Sequence, residues 1–310
     1  MPTRRLALLL AVVMAGGLLV GCSRGPLPGV GPVPTLSAGQ AATVTFCNDV
    51  QAKITEPKTS VGAAPAAVYV HGGSWISGDF DTGGFDIAEI GPLLNARGFV
   101  VMSVNYRLGP DHLWPDQIID VKCAVRYLRA NARALQVDPR RIGIWGQSAG
   151  GQLADLVGTA GPTVGWDTGV YPKQSSAVEA VVDLSGPSDL NSMSTAGASG
   201  FVKNTFVRLL GPQTPASLPA ALTDASPVHY VAPGDPPFLI IHGAADDIVD
   251  PSQSEELARD LQAAGDTAQL VVVRGGGHAL SEAGESPDQN QIALMVVNFF
   301  SFVLAPRPPA

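Results

Sequence analysis

Short apolar, β-branched runs recur along this chain with helical patterns between them, and that alternation restricts its fold more than any other feature. The runs lie at 66–71, 99–105, 141–146, 180–185, 237–242 and 270–273, and several are continuously apolar, as strands buried on both faces are. Between them fall helical patterns over 86–97, 116–134, 149–156, 252–264 and 289–304. In the second of these, Ile118, Val121, Val125 and Leu128 form one apolar stripe at helical spacing. Such alternation builds a mostly parallel, doubly wound α/β sheet with helices on both faces. Ligands of these sheets bind beyond the carboxyl ends of the strands, so chemistry is expected in the residues that follow each one. The stretch 186–232 breaks the rhythm. Rich in Gly, Pro, Ser and Ala, with one helical segment near 201–210, it reads as a small cap insertion folded over the sheet edge.

With 310 residues, 45% of them hydrophobic, the chain has material for a large core. Its formal charge of −8, with no basic block beyond Arg4 and Arg5, lacks the electrostatic footprint of a nucleic-acid binder. Arg4 and Arg5 precede an apolar run over 6–20, too short to span a bilayer permanently and followed by Leu19-Val20-Gly21-Cys22. That arrangement resembles a bacterial lipoprotein signal, which implies lipidation of Cys22, export, and anchorage at an extracytoplasmic membrane face. The expected organisation is a signal over 1–21, a Gly/Pro-rich tether over 22–41, a folded domain over 42–305 and a tail over 306–310. An exported domain permits a disulfide, and Cys47 and Cys123 allow one pairing; the alternative is that Cys123 is a small buried residue of a helix.

The run at 141–146 leads into Gly146-Gln147-Ser148-Ala149-Gly150-Gly151, after which a helical pattern begins. In a strand–turn–helix context, small residues at 146 and 150 let backbones approach and the sharp turn pushes the Ser148 side chain out of the sheet. A serine hydroxyl needs a base, and the base an orienting acid. After the run at 270–273, three glycines lead to His278; after the run at 237–242 come Asp246, Asp247 and Asp250, which spacing alone does not separate. His71 and His242 end strands and precede glycine, which suits structural hydrogen bonding, and His112 and His229 fall in loops. The turn His71-Gly72-Gly73-Ser74-Trp75 offers free backbone N–H groups to the same crevice, as an oxyanion requires, with the N–H of Ala149 as the second source.

These segments, with Tyr106-Arg107-Leu108, Trp114-Pro115, the 120–129 helix, Pro236–Gly243, Gln253-Ser254 and Gly277-His278, resemble an α/β-hydrolase carboxylesterase. The resemblance is to the hormone-sensitive-lipase-like and feruloyl- and acetyl-xylan-esterase-like branch, over about 64–280. It implies an α/β-hydrolase fold, and through H-G-x-x-D-x-x-V it places the acid on Asp246. It further implies backbone donors at Gly73, Ser74 and Ala149, a pocket bordered by Trp75 and Trp114, and no metal or cofactor. The expected activity is hydrolysis of short- to medium-chain esters through an acyl-enzyme on Ser148. Its rivals are a lipase or serine peptidase on the same fold, or a tethered binding protein without catalysis. The chain departs from the family in carrying Ser74 where a third glycine is common and Asp250 between Val249 and Pro251.

Overall fold

Each apolar run becomes a strand of one sheet in the computed structural model, which describes residues 27–59, 62–81, 84–194 and 199–306. The strands are β1 Ala41–Cys47, β2 Val50–Thr55, β3 Ala64–Val70, β4 Val100–Val104, β5 Val137–Gln147, β6 Ala180–Leu184, β7 Phe238–Gly243 and β8 Ala268–Val273. Their order in the sheet is β1-β2-β4-β3-β5-β6-β7-β8. β1 and β2 are antiparallel to each other, β2 is antiparallel to β4, and all later pairings are parallel. β3, β4, β6 and β7 are buried along their whole length, which is why they are written as mostly apolar runs.

The helices are α1 Phe85–Ala88, α2 Ile90–Ala96, α3 Asp116–Ala130, α4 Ala149–Thr159, α5 Leu190–Met193, α6 Gly200–Leu210, α7 Leu218–Asp224, α8 Ser252–Ala264 and α9 Gln289–Val303. One core lies on the sheet face covered by α3, α4 and α8, through residues such as Ile118, Leu153 and Leu257. A second lies on the opposite face under α2 and α9, through Leu94, Val296 and Phe300. The single helix expected over 86–97 is two. Pro92 lacks an N–H, and its ring crowds the carbonyl four residues back, at Ala88, where the first helix stops.

The β1–β2 hairpin turns through Asn48 and Asp49, both at positive φ (50° and 61°), as a tight two-residue connection requires. It is fastened to α3. Cys47 and Cys123 are joined as a disulfide with Cα atoms 6.4 Å apart, and Asn48 Nδ2 donates to Asp120 Oδ1 at 2.8 Å. The expected tether over 22–41 is not a free spacer from residue 27 onward. Val30, Val33 and Leu36 pack on the core, and the Gly31 N–H donates to the Thr45 carbonyl at 2.8 Å. The prolines keep this segment extended, and the apolar residues between them hold it to the sheet. The signal segment and Cys22 lie outside the described residues.

Candidate active site

The carboxyl ends of β3, β5, β7 and β8 meet at one edge of the sheet, and Gly73, Ser74, Trp75, Ser148, Ala149, Asp246 and His278 all come from the turns there. β3 and β5 are neighbours with Val70 opposite Gly146, so the turn after β3 lies against the turn after β5. Ser148 stands between β5 and α4 at φ 57° and ψ −122°, a conformation rare for a residue with a side chain, and its N–H donates to the Leu184 carbonyl at 2.9 Å. The flanking glycines have a packing reason. A Cβ on Gly146 would sit 2.2 Å from the Gly150 carbonyl oxygen, and one on Gly150 would sit 2.1 Å from that of Val70.

His278 Nε2 lies 2.9 Å from Ser148 Oγ, and its Nδ1 lies 2.8 Å from Asp246 Oδ2. Of the three acids open in the sequence, Asp246 is the one that reaches the imidazole; Asp247 is exposed, and Asp250 accepts from the Ser252 N–H at the start of α8. Asp246 Oδ1 accepts from the N–H groups of Ile248 and Val249 at 2.9 and 3.0 Å, and Oδ2 faces a second ring, His242 Nε2, at 3.1 Å. Burial alone would raise its pKa. The hydrogen bonds from His242, His278 and Val249, and the charge of His278, outweigh burial and hold the carboxyl well below the usual carboxylate range. Gln147 Nε2 donates to the His278 carbonyl at 3.0 Å, tying the histidine loop to the serine turn.

The turn after β3 is tight. The Gly73 carbonyl accepts from the N–H groups of Ile76 and Ser77, both at 3.1 Å, and Ser74 and Trp75 both have positive φ. Below it the His71 ring stacks on Tyr106 at 4.3 Å, and the Tyr106 hydroxyl donates to the His71 carbonyl at 3.0 Å. Ser74, Trp75, Ser148 and Ala149 border one cavity of about 30 Å³, closed by cap side chains including Met193 and Phe206. Gly73 does not border it. It lines a separate, more polar cavity of about 270 Å³ on the other side of the turn, with Ser77 and Gln147. The Trp75 indole is buried as a wall of the first cavity, and its Nε1 donates to Gln152 Oε1 at 2.9 Å.

Trp114 is not in that pocket. Its Nε1 donates to Asp224 Oδ2 at 2.7 Å and its ring packs edge-on to Trp166 at 5.4 Å, so it belongs to the contact between the start of α3 and the cap. From the stretch 186–232, Met193 of α5 and Val202, Thr205 and Phe206 of α6 border the cavity beside Ser148. Gln152 joins the two parts: it receives the Trp75 indole and donates through Nε2 to the Ala225 carbonyl, at the end of α7, at 2.6 Å. Sequence reasoning missed Gln147 and Gln152. The one available signal was a glutamine one turn beyond Ser148 in an otherwise apolar helix start. A roomier cavity of about 560 Å³, bordered by Lys122, Ala160 and Glu179, lies at the amino ends of β6 and β7, away from Ser148.

Compared with known proteins, residues 53–261 match the model of the family described as BD-FAE. The chain belongs to the BD-FAE family. The match runs from within β2 to within α8 and so includes Ser148 and Asp246, while His278 follows it. This BD-FAE chain is 32% identical over 237 residues to the protein named Esterase LipC of Mycobacterium tuberculosis, covering 75% of this chain and 58% of that one. It is 36% identical over 117 residues to the protein named Carboxylesterase NlhH of the same organism, covering 38% of this chain and 36% of that one. The chain spans about half the length of the curated relatives it matches first. Among solved structures, it is similar to a truncated form of a carbohydrate esterase from gut microbiota, at 31% identity and TM-score 0.74, covering 91% of this chain and 100% of that one. A butyrate-bound esterase of Thermogutta terrifontis matches at 27% identity and TM-score 0.66, covering 84% and 92%. The BD-FAE chain thus has the α/β-hydrolase fold.

Proposed function

We propose that this protein is a serine carboxylesterase acting on short-chain esters. The observation that carries the reading is the unbroken series of contacts from Ser148 Oγ through both nitrogens of His278 to a fully buried Asp246 carboxylate. Asp246 accepts from Nδ1 and so leaves Nε2 as the free base that faces the hydroxyl. Ser148 Oγ attacks the ester carbonyl as its proton passes to His278 Nε2. The carbonyl oxygen becomes an oxyanion, which takes hydrogen bonds from the N–H groups of Ala149 and Ser74, both of which border the cavity beside Ser148. When the tetrahedral intermediate collapses, His278 gives its proton to the leaving alkoxide. A water then loses a proton to His278 and attacks the acyl-Ser148 carbonyl; as this second intermediate collapses, the acyl–Oγ bond breaks, His278 returns the proton to Ser148 Oγ and the acid leaves.

The cavity beside Ser148 supports a short acyl group. Its volume of about 30 Å³ compares with roughly 10–15 Å³ for one water-sized occupant, enough for an acetyl or propionyl tail but not for a fatty acyl chain without movement of α6. The relatives named as esterases point the same way on reaction type. Lipase activity would need a long apolar slot, and amide cleavage is separated by comparing an ester with its matched anilide. We also propose that the protein is exported and held to an extracytoplasmic membrane face through lipidated Cys22. A Cys22→Ala variant is expected to leave the detergent phase, and one that stays there contradicts the anchor.

The test of the enzyme reading uses the full chain and its Ser148→Ala variant on p-nitrophenyl acetate, butyrate, octanoate and palmitate. Wild type is expected to turn over the two shorter esters best, and the variant to lose about 10⁴–10⁶-fold. Equal inactivity of both proteins on every ester contradicts it and favours a tethered binding protein.

A further inference from the structure

Behind the three residues assigned to catalysis lies a second imidazole that the reaction does not touch. His242, at the end of β7, is fully buried. Its Nδ1 faces Ser254 Oγ of α8 at 2.6 Å, and its Nε2 faces the Val249 carbonyl at 2.9 Å and Asp246 Oδ2 at 3.1 Å. A carbonyl and an ionised carboxylate only accept hydrogen bonds, so Nε2 carries a hydrogen whatever the state of Nδ1. Asp246 Oδ2 therefore accepts the His278 N–H on the solvent side and is faced from below, at 3.1 Å, by the His242 Nε2–H, which is shared with the Val249 carbonyl.

We propose that His242 is a positioning residue that works through Asp246: its Nε2–H takes a share of the Oδ2 charge that would otherwise fall wholly on His278, and so sets the pH at which the site becomes active. The inference rests on the triad reading above. If the His242 donor is removed, all the Oδ2 charge faces His278 Nδ1–H, which favours the imidazolium over the free base that attack by Ser148 requires. The acid limb of the rate profile then moves to higher pH. The charged and titratable groups facing His242 are Asp246 and Asp250 from its own loop, Asp183 from β6 with Asp155 of α4 behind it, and His278 across Asp246, while α8 presents only the neutral Ser254 hydroxyl. Burial pushes the Asp183 carboxyl up to about 7, against the pull of His242 and His278. Burial lowers the pKa of His242, but its bonds to Asp246 and Val249, with the charges of Asp183 and Asp246, outweigh that and raise it.

The test compares kcat/KM against pH for p-nitrophenyl acetate in the full-length wild type, His242→Asn and His242→Gln. Asparagine places its amide at the Nδ1 position and does not reach Asp246; glutamine reaches the Nε2 position and offers a neutral N–H there. The acid limb of His242→Asn is expected about one pH unit above that of wild type, and His242→Gln is expected to bring it most of the way back. A purely structural role would lower Tm and the plateau in both variants and leave the limb in place, and that result overturns the proposal. So does a limb displaced equally in both variants, because the hydrogen bond would then not be the cause. If His242→Asn does not fold, His242→Gln carries the test alone: it keeps a neutral N–H toward Oδ2, so a limb near that of wild type is expected and one displaced by about a full pH unit overturns the proposal. An inactive wild type would instead remove the triad reading itself.

Discussion

Replacing Gln152 by leucine keeps the volume of a fully buried side chain and deletes both of its hydrogen bonds. The Trp75 indole N–H, now 2.9 Å from Oε1, and the Ala225 carbonyl, now 2.6 Å from Nε2, are left buried without a partner. Each orphaned group costs about 1–3 kcal/mol, so the loss should total roughly 2–6 kcal/mol. At roughly 2–4 °C per kcal/mol for a domain of this size, Tm falls by about 4–24 °C. The same change frees the turn at Ser74 and Trp75, whose φ values of 56° and 61° are rare for residues with side chains and need support. Losing one oxyanion donor outright costs about 10²–10³ in kcat, so a displaced donor should cost at least about tenfold, with KM little changed. Thermal melts and p-nitrophenyl acetate kinetics on Gln152→Leu measure both. A folded variant within about 2 °C of wild type and with unchanged kcat would refute the idea that this glutamine couples the cap to the oxyanion turn.

Asp246→Asn should lower kcat by the order of 10⁴-fold, because an amide nitrogen can turn toward His278 and upset its tautomer, while Asp247→Asn and Asp250→Asn stay near wild type; single-substrate kinetics separate them. Opening the disulfide through Cys47→Ala with Cys123→Ala, at a sequence separation of 76, should cost about 4 kcal/mol in urea unfolding, and an unchanged midpoint contradicts this. Burial pushes the Glu56 carboxyl up from 4.5 to about 7, so the folded state keeps a proton that the unfolded chain has released. Wild type therefore loses stability as pH rises from about 4.5 to about 7, and Glu56→Gln does not. The gap between them should open to the order of 2–3 kcal/mol above pH 7 and close near pH 4.5, as melts across that range will read.

The parallel strands and the residues at their carboxyl ends were readable because both carry local signals: continuous apolar runs, and Gly-rich turns around Ser148 and His278. The β1–β2 hairpin escaped because Thr43, Thr45, Gln51 and Lys53 interrupt its apolar residues, and a chain that alternates in this way resembles its own loops. Composition alone suggested a spacer up to residue 41, since Gly and Pro content does not disclose that Val30, Val33 and Leu36 find the core. Asp246 could not be told from Asp247 and Asp250 by spacing; the resemblance to known esterases was needed, and geometry then brought that residue to His278. Trp75 and Trp114 both follow motif segments, yet Trp114 is drawn to Asp224, 110 residues away in the chain. Pairings of that range, like Gln152 with Ala225, leave no trace in local pattern.

The most direct measurement is the chemical one. Wild type turning over p-nitrophenyl acetate is quenched in acid during the steady state, digested and examined by peptide mass spectrometry. One acetyl group is expected on the peptide that contains Ser148, and none in the Ser148→Ala protein. Continued turnover with no acetyl on that peptide, or acetyl on another residue, would contradict Ser148 as the nucleophile of this site.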